Sequence, residues 1–473
     1  MTDHPGIRIE HDAFGPVEIP ANRYWGAQTQ RALGVFEIGD ERFPACLVWT
    51  FGLQKLAAAR ANRRLGTLDP SLAEAIEAAA LEVWKGRFDD HFPLPIWQTG
   101  SGTQTNMNAN EVIANRANET LGQPLGRRRP VHPNDHVNRS QSSNDSFPTV
   151  MHLCVGIELH DRLLPELRLL RDTLAAKAAE FDDVVKIGRT HLMDAVPMTV
   201  GQAFDAFARQ VGLGIARIEA ASPRLYRLAQ GGTAVGSGLN APAGFDEAFC
   251  EEVAGLTGLP FVPNPSKFEG MGAHDALVEV SGALNVLAVS LIKIANDIRL
   301  LGSGPRTGLG ELVFPDDGLS SSIMPGKRNP TIAEALLQVA FQVVGNHATI
   351  SAAGASGTFE LNVAKPVLVH NLLQAIRLLA DGSRVFATKL VHGLAVDRER
   401  LAANVANALL LATALNPLLG YDRVAAITRT AMAENVTPRA AAIALGFVTG
   451  EEYDRIVDPR TMIAPAGRRE PAR

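Results

Sequence analysis

The sequence predicts a mainly α protein built on an elongated bundle of long helices. Three observations carry that expectation. Apolar residues recur at helical spacing in several long runs of comparable length. The segment from Ala276 to Leu301 is apolar on nearly every side, as a helix inside a bundle is. No alternation of strands with helices suggests a doubly wound sheet, and polar residues gather instead in the connections between helical runs.

Taken in order, Ile7 to Ile19 alternates apolar residues around Gly15 and Pro16, as an extended arm or short hairpin would. Helical periodicity starts near Cys46 and holds through Leu65, then returns from Ser71 to Val83 behind an Asp69-Pro70-Ser71 start signal. A polar stretch from Gln98 to Glu111 precedes an apolar-periodic run from Val112 and is expected to be a ligand-facing loop. Phe147 to about Glu180 is helical with a break at Pro165. Gly188 to Pro197 interrupts before a helix that runs to about Ala229, and the Gly-rich Gln230 to Pro242 reads as a tight connection. Further helices are expected from Pro330 to about Ile350 and from Val363 to about Leu390. Shorter ones follow at Leu401 to Leu415, Val424 to Ala433 and Pro438 to Leu445, before a frayed tail from Pro465.

Composition bounds the partners. A chain of 473 residues exceeds one ordinary core, so two or three domains or one elongated helical assembly are expected. A net charge of −5 gives no basic footprint for nucleic acid, although Arg127-Arg128-Arg129 is a local basic cluster. Cys46, Cys154 and Cys250 are far apart and odd in number, which offers no disulfide framework and no zinc spacing and places the chain in a reducing compartment. Met1 to Glu10 lacks an apolar signal core, so a cytoplasmic location is expected. The most apolar run, Val280 to Ile292, lies between Glu279 and Lys293 and is too short to span a bilayer, so no membrane is implied.

Four polar stretches carry the chemistry. In Ser320-Ser-Ser-Ile-Met-Pro-Gly-Lys-Arg-Asn-Pro330, three hydroxyls lead into a turn, a Lys and an Asn ahead of a Pro suited to a helix start. Such a loop offers neutral donors and an ammonium near a positive helix end, which suits an anionic substrate, although a surface turn uses the same residues. It is no Walker loop, because that motif needs Gly at 321 and Ser or Thr at 328. Gln98 to Glu111 is too rich in hydroxyls and amides for a simple cap, and its Gly100 and Gly102 lack the third Gly of a dinucleotide fingerprint. Ser142-Ser143-Asn144-Asp145 again collects donors at a helix start. His132, Asn134, Asp135 and His136 match no strong zinc or calcium spacing and read by default as a polar turn. His191, beside Thr190, is the side chain best poised to move protons near neutral pH. Glu334 either closes a capping box with Thr331 or orients His191. The inventory fits a small dianionic substrate, with no cofactor and no metal.

The resemblance to a known family spans nearly the whole chain. Trp25-Gly-Ala-Gln-Thr-Gln30, Gly100-Ser-Gly-Thr-Gln-Thr-Asn-Met-Asn108, His132-Pro-Asn-Asp135, Ser140-Gln-Ser-Ser-Asn-Asp145, Gly188-Arg-Thr-His-Leu-Met-Asp-Ala195, Ser321-Ser-Ile-Met-Pro-Gly-Lys327 and Gly354-Ala-Ser-Gly-Thr-Phe-Glu-Leu-Asn-Val363 resemble the class II, metal-independent fumarases of the fumarase/aspartase superfamily. That resemblance implies a three-domain fold around a central bundle of long helices, here residues 1–140, 141–395 and 396–473. It implies a homotetramer with active sites shared between subunits, and reversible hydration of fumarate to (S)-malate by anti addition and elimination of water.

Composition alone would make His191 the carbon base. The family pattern instead implies Ser321 as that base, His191 paired with Glu334 on the water proton, and Lys327 and Asn329 stabilising the aci-carboxylate. Ser101, Gly102, Thr103, Arg129, Ser142, Ser143, Asn144, Thr190 and Ser322 match substrate-binding positions. Arg129 is shared with the second anion site that His132, Pro133, Asn134 and Asp135 match. Two positions depart from the pattern. Arg328 stands where fumarases usually have Val, either admitting a larger or more anionic substrate or pointing outward into a subunit contact. His136 replaces a usual second Asp. The alternatives are another lyase of the superfamily, such as aspartate ammonia-lyase or a succinyl-substrate lyase with Arg328 setting specificity, and more remotely a non-catalytic structural homologue.

Overall fold

The computed structural model describes residues 6–319 and 321–464. Ser320 and the tail from Pro465 lie outside the described residues. The protein is mainly α, and among the described residues the strands pair only as two-stranded ladders. Contacts divide the chain into two compact units. The first comprises residues 1–165, 214–288 and 340–380, the second 166–213, 289–339 and 381–473.

In the first unit, β1 (Ile7–Asp12) and β2 (Gly15–Pro20) form the antiparallel hairpin expected from Gly15 and Pro16. Helix α1 (Ala27–Val35) follows. Helices α2 (Ala45–Arg64) and α3 (Pro70–Trp84) fall within a residue or two of their expected bounds, and the Asp69 carboxylate caps α3 through the N–H groups of Ser71 and Leu72. Buried Val48, Leu56, Ile76, Val83, Val112 and Ile113 join α2, α3 and α4 (Thr103–Thr120) in one apolar core. Helix α5 (Ser143–Glu158) ends in a wide turn at Leu159–Leu163 just ahead of Pro165, which is the break Pro165 announces, and α6 (Leu164–Glu180) belongs to the second unit from residue 166 on. Helix α8 (Phe245–Thr257), which periodicity did not single out, buries Phe245, Phe249 and Val253.

The Gly188 to Pro197 interruption is not an irregular loop. It is a second hairpin, β3 (Val185–Thr190) with β4 (Met193–Thr199). Helix α7 (Val200–Leu225) follows and stops four residues short of its expected end. Helices α9 (Lys267–Gly272), α10 (Asp275–Leu301), α11 (Thr331–Gly354) and α12 (Lys365–Val385) complete the long elements. The C-terminal helices α13 (Arg398–Asn407), Tyr421–Glu434, Pro438–Ala444 and Gly450–Ile456 pack around Leu411, Leu415, Ile427 and Tyr453.

Two expectations for the apolar segment need correcting. The run Val280 to Ile292 lies inside α10, which at 27 residues is long and apolar enough to cross a membrane by length and composition. Nor is the helix buried all round. Leu277, Val280, Leu284, Leu287 and Leu291 are fully buried, but Val286 and Val289 are 40% and 55% exposed.

Candidate active site

The polar stretch from Gln98 to Glu111 is mostly helix. Helix α4 begins at Thr103, with Gly102 at its N-cap in the left-handed region (φ 75°). Asn106, Asn108 and Asn110 are buried helical residues rather than loop donors. Asn competes poorly in a helix when its amide turns back on the local backbone. Here the Asn108 amide donates to the His91 carbonyl at 3.0 Å, and Asn106 both donates to Asn138 and accepts from Lys55. Gly100 and Gly102 are required by space. A Cβ at Gly100 would sit 1.2 Å from the Val363 carbonyl oxygen, and one at Gly102 would sit 2.1 Å from the Phe147 ring.

The expected donors of the first unit do converge. The Ser101 and Thr103 hydroxyls are 2.7 Å apart, and Thr103 reaches the Ser143 hydroxyl at 2.7 Å, so one hydroxyl chain bridges the starts of α4 and α5. Ser142 caps α5 in a capping box. Its N–H donates to Asp145 Oδ1 at 2.9 Å, and its hydroxyl accepts from the Asn144 N–H at 3.2 Å. The Asn144 amide donates to the Ala234 carbonyl at 2.9 Å. Two positive helix ends with three linked hydroxyls suit a carboxylate.

Behind this face stand two buried charges, Asp145, which closes the Ser140-to-Asp145 motif, and Lys55, which motif reading passed over. Lys55 is fully buried on α2, and its ammonium donates to Asn106 Oδ1 (2.8 Å), Asn138 Oδ1 (3.1 Å) and Gln141 Oε1 (2.9 Å). Burial drives its pKa down to about 7, with Asp145 pulling it back up. Asp145, also fully buried, accepts from the N–H groups of Gly231 (3.0 Å) and Thr233 (2.9 Å), which pins the glycine-rich connection beside α5. Burial pushes its carboxyl up to about 6 against the backbone donors of Ser142, Thr233 and Gly231. A Lys within Leu53-Gln54-Lys55-Leu56-Ala57 was the available sequence signal. A third buried charge, Lys365, donates from its ammonium to the Asn362 carbonyl at 2.5 Å and from its backbone N–H to the Gly100 carbonyl at 3.1 Å.

His132 to Val137 forms a capped wide turn. His132 Nδ1 accepts from the N–H groups of Asn134 and Asp135 at 3.2 Å each, and the His132 N–H donates to His136 Nδ1 at 2.9 Å. Pro133 is buried, Asn134 and Asp135 are exposed, and Arg129 is exposed without an ion-pair partner among the described residues. Burial, aided by the Arg128 charge, lowers the His132 pKa. Among the described residues, no group of three or more His, Cys, Asp or Glu side chains is arranged to hold a metal ion.

In the second unit, Thr190 and His191 sit at the tip of the β3–β4 hairpin. His191 (φ 57°) and Leu192 (φ 65°) are both left-handed, as a tight hairpin turn demands. His191 is exposed and makes no hydrogen bond among the described residues. The β3 strand of the hairpin is anchored by Glu311, which sequence reasoning missed. This 1%-exposed carboxylate meets Arg189 at 2.5 Å and Lys186 at 3.0 Å. Burial would raise its pKa, but the two cations outweigh that and hold it below the ordinary value.

The signature loop places Ser322, Lys327, Arg328 and Asn329 at the surface, with Ser321 half-buried. The Ser321 hydroxyl accepts from the Met324 N–H at 3.3 Å, and the Lys327 N–H donates to the Met324 carbonyl at 3.1 Å. Thr331 and Glu334 do not form the capping box. Thr331 is already inside α11 and its hydroxyl donates to Asp317 at 2.5 Å, while the Glu334 N–H donates to the Pro330 carbonyl at 3.0 Å. The exposed Glu334 carboxylate is left uncommitted among the described residues.

The first unit presents hydroxyl-capped helix starts, and the second an exposed His on a hairpin and a Lys-Arg-Asn loop, which are the group types that acid-base chemistry on an anionic substrate uses. The comparisons agree with that class. A family model described as "Lyase" matches residues 15–345, and one described as "Fumarase C C-terminus" matches residues 411–464. The class II fumarate hydratase of Caulobacter vibrioides is 57% identical over 459 residues, 97% of this chain and 99% of that protein. The mitochondrial fumarate hydratase of Rattus norvegicus is 54% identical over 98% of this chain and 92% of that protein. The crystal structure of a class II fumarase from Schistosoma mansoni superposes with a TM-score of 0.94 at 43% identity, covering 98% of this chain and 100% of that one. The chain belongs to the class II fumarate hydratases of the fumarase/aspartase superfamily. It is an enzyme of the hydro-lyase class.

Proposed function

We propose that the protein catalyses the reversible hydration of fumarate to (S)-malate. One observation carries the proposal: relatives named fumarate hydratase match almost end to end at 54 to 57% identity, as those from Rattus and Caulobacter do. Taking water from malate requires loss of a proton from carbon next to a carboxylate. The barrier lies in the dianionic aci-carboxylate that results, which preorganised positive groups lower. Lys327 and Asn329 take that role. Ser321 is the carbon base, and a serine hydroxyl needs an activating environment to act as one. His191, oriented by Glu334, handles the proton on water. Ser101, Gly102, Thr103, Arg129, Ser142, Ser143, Asn144, Thr190 and Ser322 hold the substrate carboxylates, and His132, Pro133, Asn134, Asp135 and Arg129 form an accessory anion site.

No hydrogen bond joins His191 and Glu334 within one protomer among the described residues. We therefore take each site to be completed by other copies of the chain in a homotetramer. The exposed apolar pairs Val286 and Val289 on α10, and Phe341 and Val344 on α11, favour such an assembly, since they repeat at helical spacing and face solvent in the protomer. The division at residues 140 and 395 and a cytoplasmic location belong to the same proposal. Compartments differ among the relatives, the Rattus protein being named mitochondrial.

The test follows the ultraviolet absorbance of fumarate's double bond with chelator-treated protein and (S)-malate, with aspartate and adenylosuccinate run beside it. Absorbance rising with malate alone, and lost in Ser321→Ala and His191→Asn, supports the proposal. Turnover of aspartate or adenylosuccinate in its place overturns it.

A further inference from the structure

Arg328 is the signature-loop residue that departs from the usual fumarase form, and its guanidinium is engaged. Its Nη2 donates to Asp316 Oδ2 at 2.8 Å. The next residue, Asp317, accepts the Thr331 hydroxyl at 2.5 Å. Both carboxylates are fixed locally as well. Asp316 accepts from the Gly318 N–H at 3.0 Å, and Asp317 accepts from the Leu319 N–H at 2.9 Å. Adjacent acids before the loop thus grip residues twelve and fourteen positions further on. Arg328 sits between Lys327 and Asn329 in the chain, and it lines a narrow crevice with Asn329, Phe314, Lys389 and Leu390 at the loop's base.

We propose that the Asp316–Arg328 and Asp317–Thr331 contacts form a clasp at the neck of the signature loop. Arg328 is then a positioning residue for Lys327 and Asn329, not a binder of substrate. What the loop does rests on the fumarase function proposed above; the clasp itself rests on these contacts. The guanidinium turns back to Asp316 at 2.8 Å, so the contact it makes is at the neck of the loop. An exposed pair shifts an equilibrium by about fivefold at most. Here the pair follows a neighbouring contact that has already brought the loop ends together, so little further chain entropy opposes it. That shift acts on the fraction of loops presenting Lys327 and Asn329 in register.

The experiment uses the full-length protein in five further forms: Arg328→Val, Arg328→Lys, Asp316→Asn, the double variant Asp316→Asn/Arg328→Val, and the exchange Asp316→Arg/Arg328→Asp. Malate turnover is measured at about 0.01 M and about 1 M ionic strength, with hydrogen exchange of amides 321–329 read in parallel. Arg328→Val and Asp316→Asn should each lower kcat by about three- to fivefold with little change in KM. The double variant should be no worse than either single one. Arg328→Lys and the exchange should recover most of the loss, and high salt should bring the wild type down to the variants. Exchange should quicken equally in both single variants. A loss on Arg328→Val expressed in KM, with Asp316→Asn silent, makes Arg328 a substrate contact and overturns the clasp. So does unchanged exchange in both single variants. If the wild type does not turn over malate, the exchange data still judge the clasp while the function proposal falls.

Discussion

Lys55→Met removes a buried ammonium while keeping most of the side-chain volume. Three oxygens depend on that ammonium, but not equally. Asn138 Oδ1 keeps a donor in Asn106 Nδ2 at 3.2 Å, and Gln141 Oε1 keeps Gln54 Nε2 at 2.9 Å. Only Asn106 Oδ1 is orphaned outright. Breaking a buried charged network costs about 3–5 kcal/mol, and two retained donors put this case at the lower end, ~3 kcal/mol near pH 7. The pH dependence has a definite sign. Burial lowers the Lys55 pKa from 10.5 to about 7, so above pH 7 the folded protein has released a proton that the unfolded chain still holds. Wild-type stability from this group therefore rises with pH, by about 1.4 kcal/mol per pH unit, until the unfolded Lys also titrates. Met binds no proton, so the gap between the two proteins widens between pH 7 and about 9. Urea denaturation at fixed protomer concentration reads it. A gap that stays flat or narrows over that range, or a variant as stable as the wild type at pH 7, refutes the reasoning.

Gly102→Ala combines a left-handed φ with a Cβ 2.1 Å from the Phe147 ring, so a loss of about 2–4 kcal/mol and a collapse of malate turnover are expected in melting and activity assays. Glu311→Gln leaves Lys186 and Arg189 without their carboxylate and should cost about 3–5 kcal/mol. Hydrogen exchange should show the β3–β4 hairpin loosening and His191 with it; unchanged protection there would mean the hairpin does not need this anchor. Asp12 tests the opposite sign of linkage. Arg31 holds its carboxyl down at about 2, so its support of the β1–β2 hairpin is fully present above pH 3.8 and is lost as pH falls through about 2. Hairpin amide protection should stay level down to pH 3.8 in the wild type, and Asp12→Asn should remove the acid-dependent drop below it.

Much of the architecture is legible from neighbouring residues alone. The Gly15-Pro16 turn, the Asp69 cap of α3, the bounds of α2 and the break near Pro165 depend on propensities and periodicities that act within a few residues. The motif-bearing stretches were likewise visible, because their composition conflicts with ordinary caps and turns. What the Asn-rich stretch would become was not visible. Asn106 is helical because Lys55, 51 residues earlier, satisfies its amide oxygen. Thr331 abandons the capping box suggested by its spacing to Glu334 because Asp317 accepts its hydroxyl from across the loop. Arg328 left two readings open, and no spacing in the sequence announced its ion pair with Asp316. The sequence by itself determined a helical class II fumarase scaffold and the identity of its polar loops, since helix, turn and motif are short-range properties of the chain. Only the tertiary structure decided which charges are buried and which partners hold the loops, because desolvation and long-range hydrogen bonding depend on what folding brings within about 3 Å.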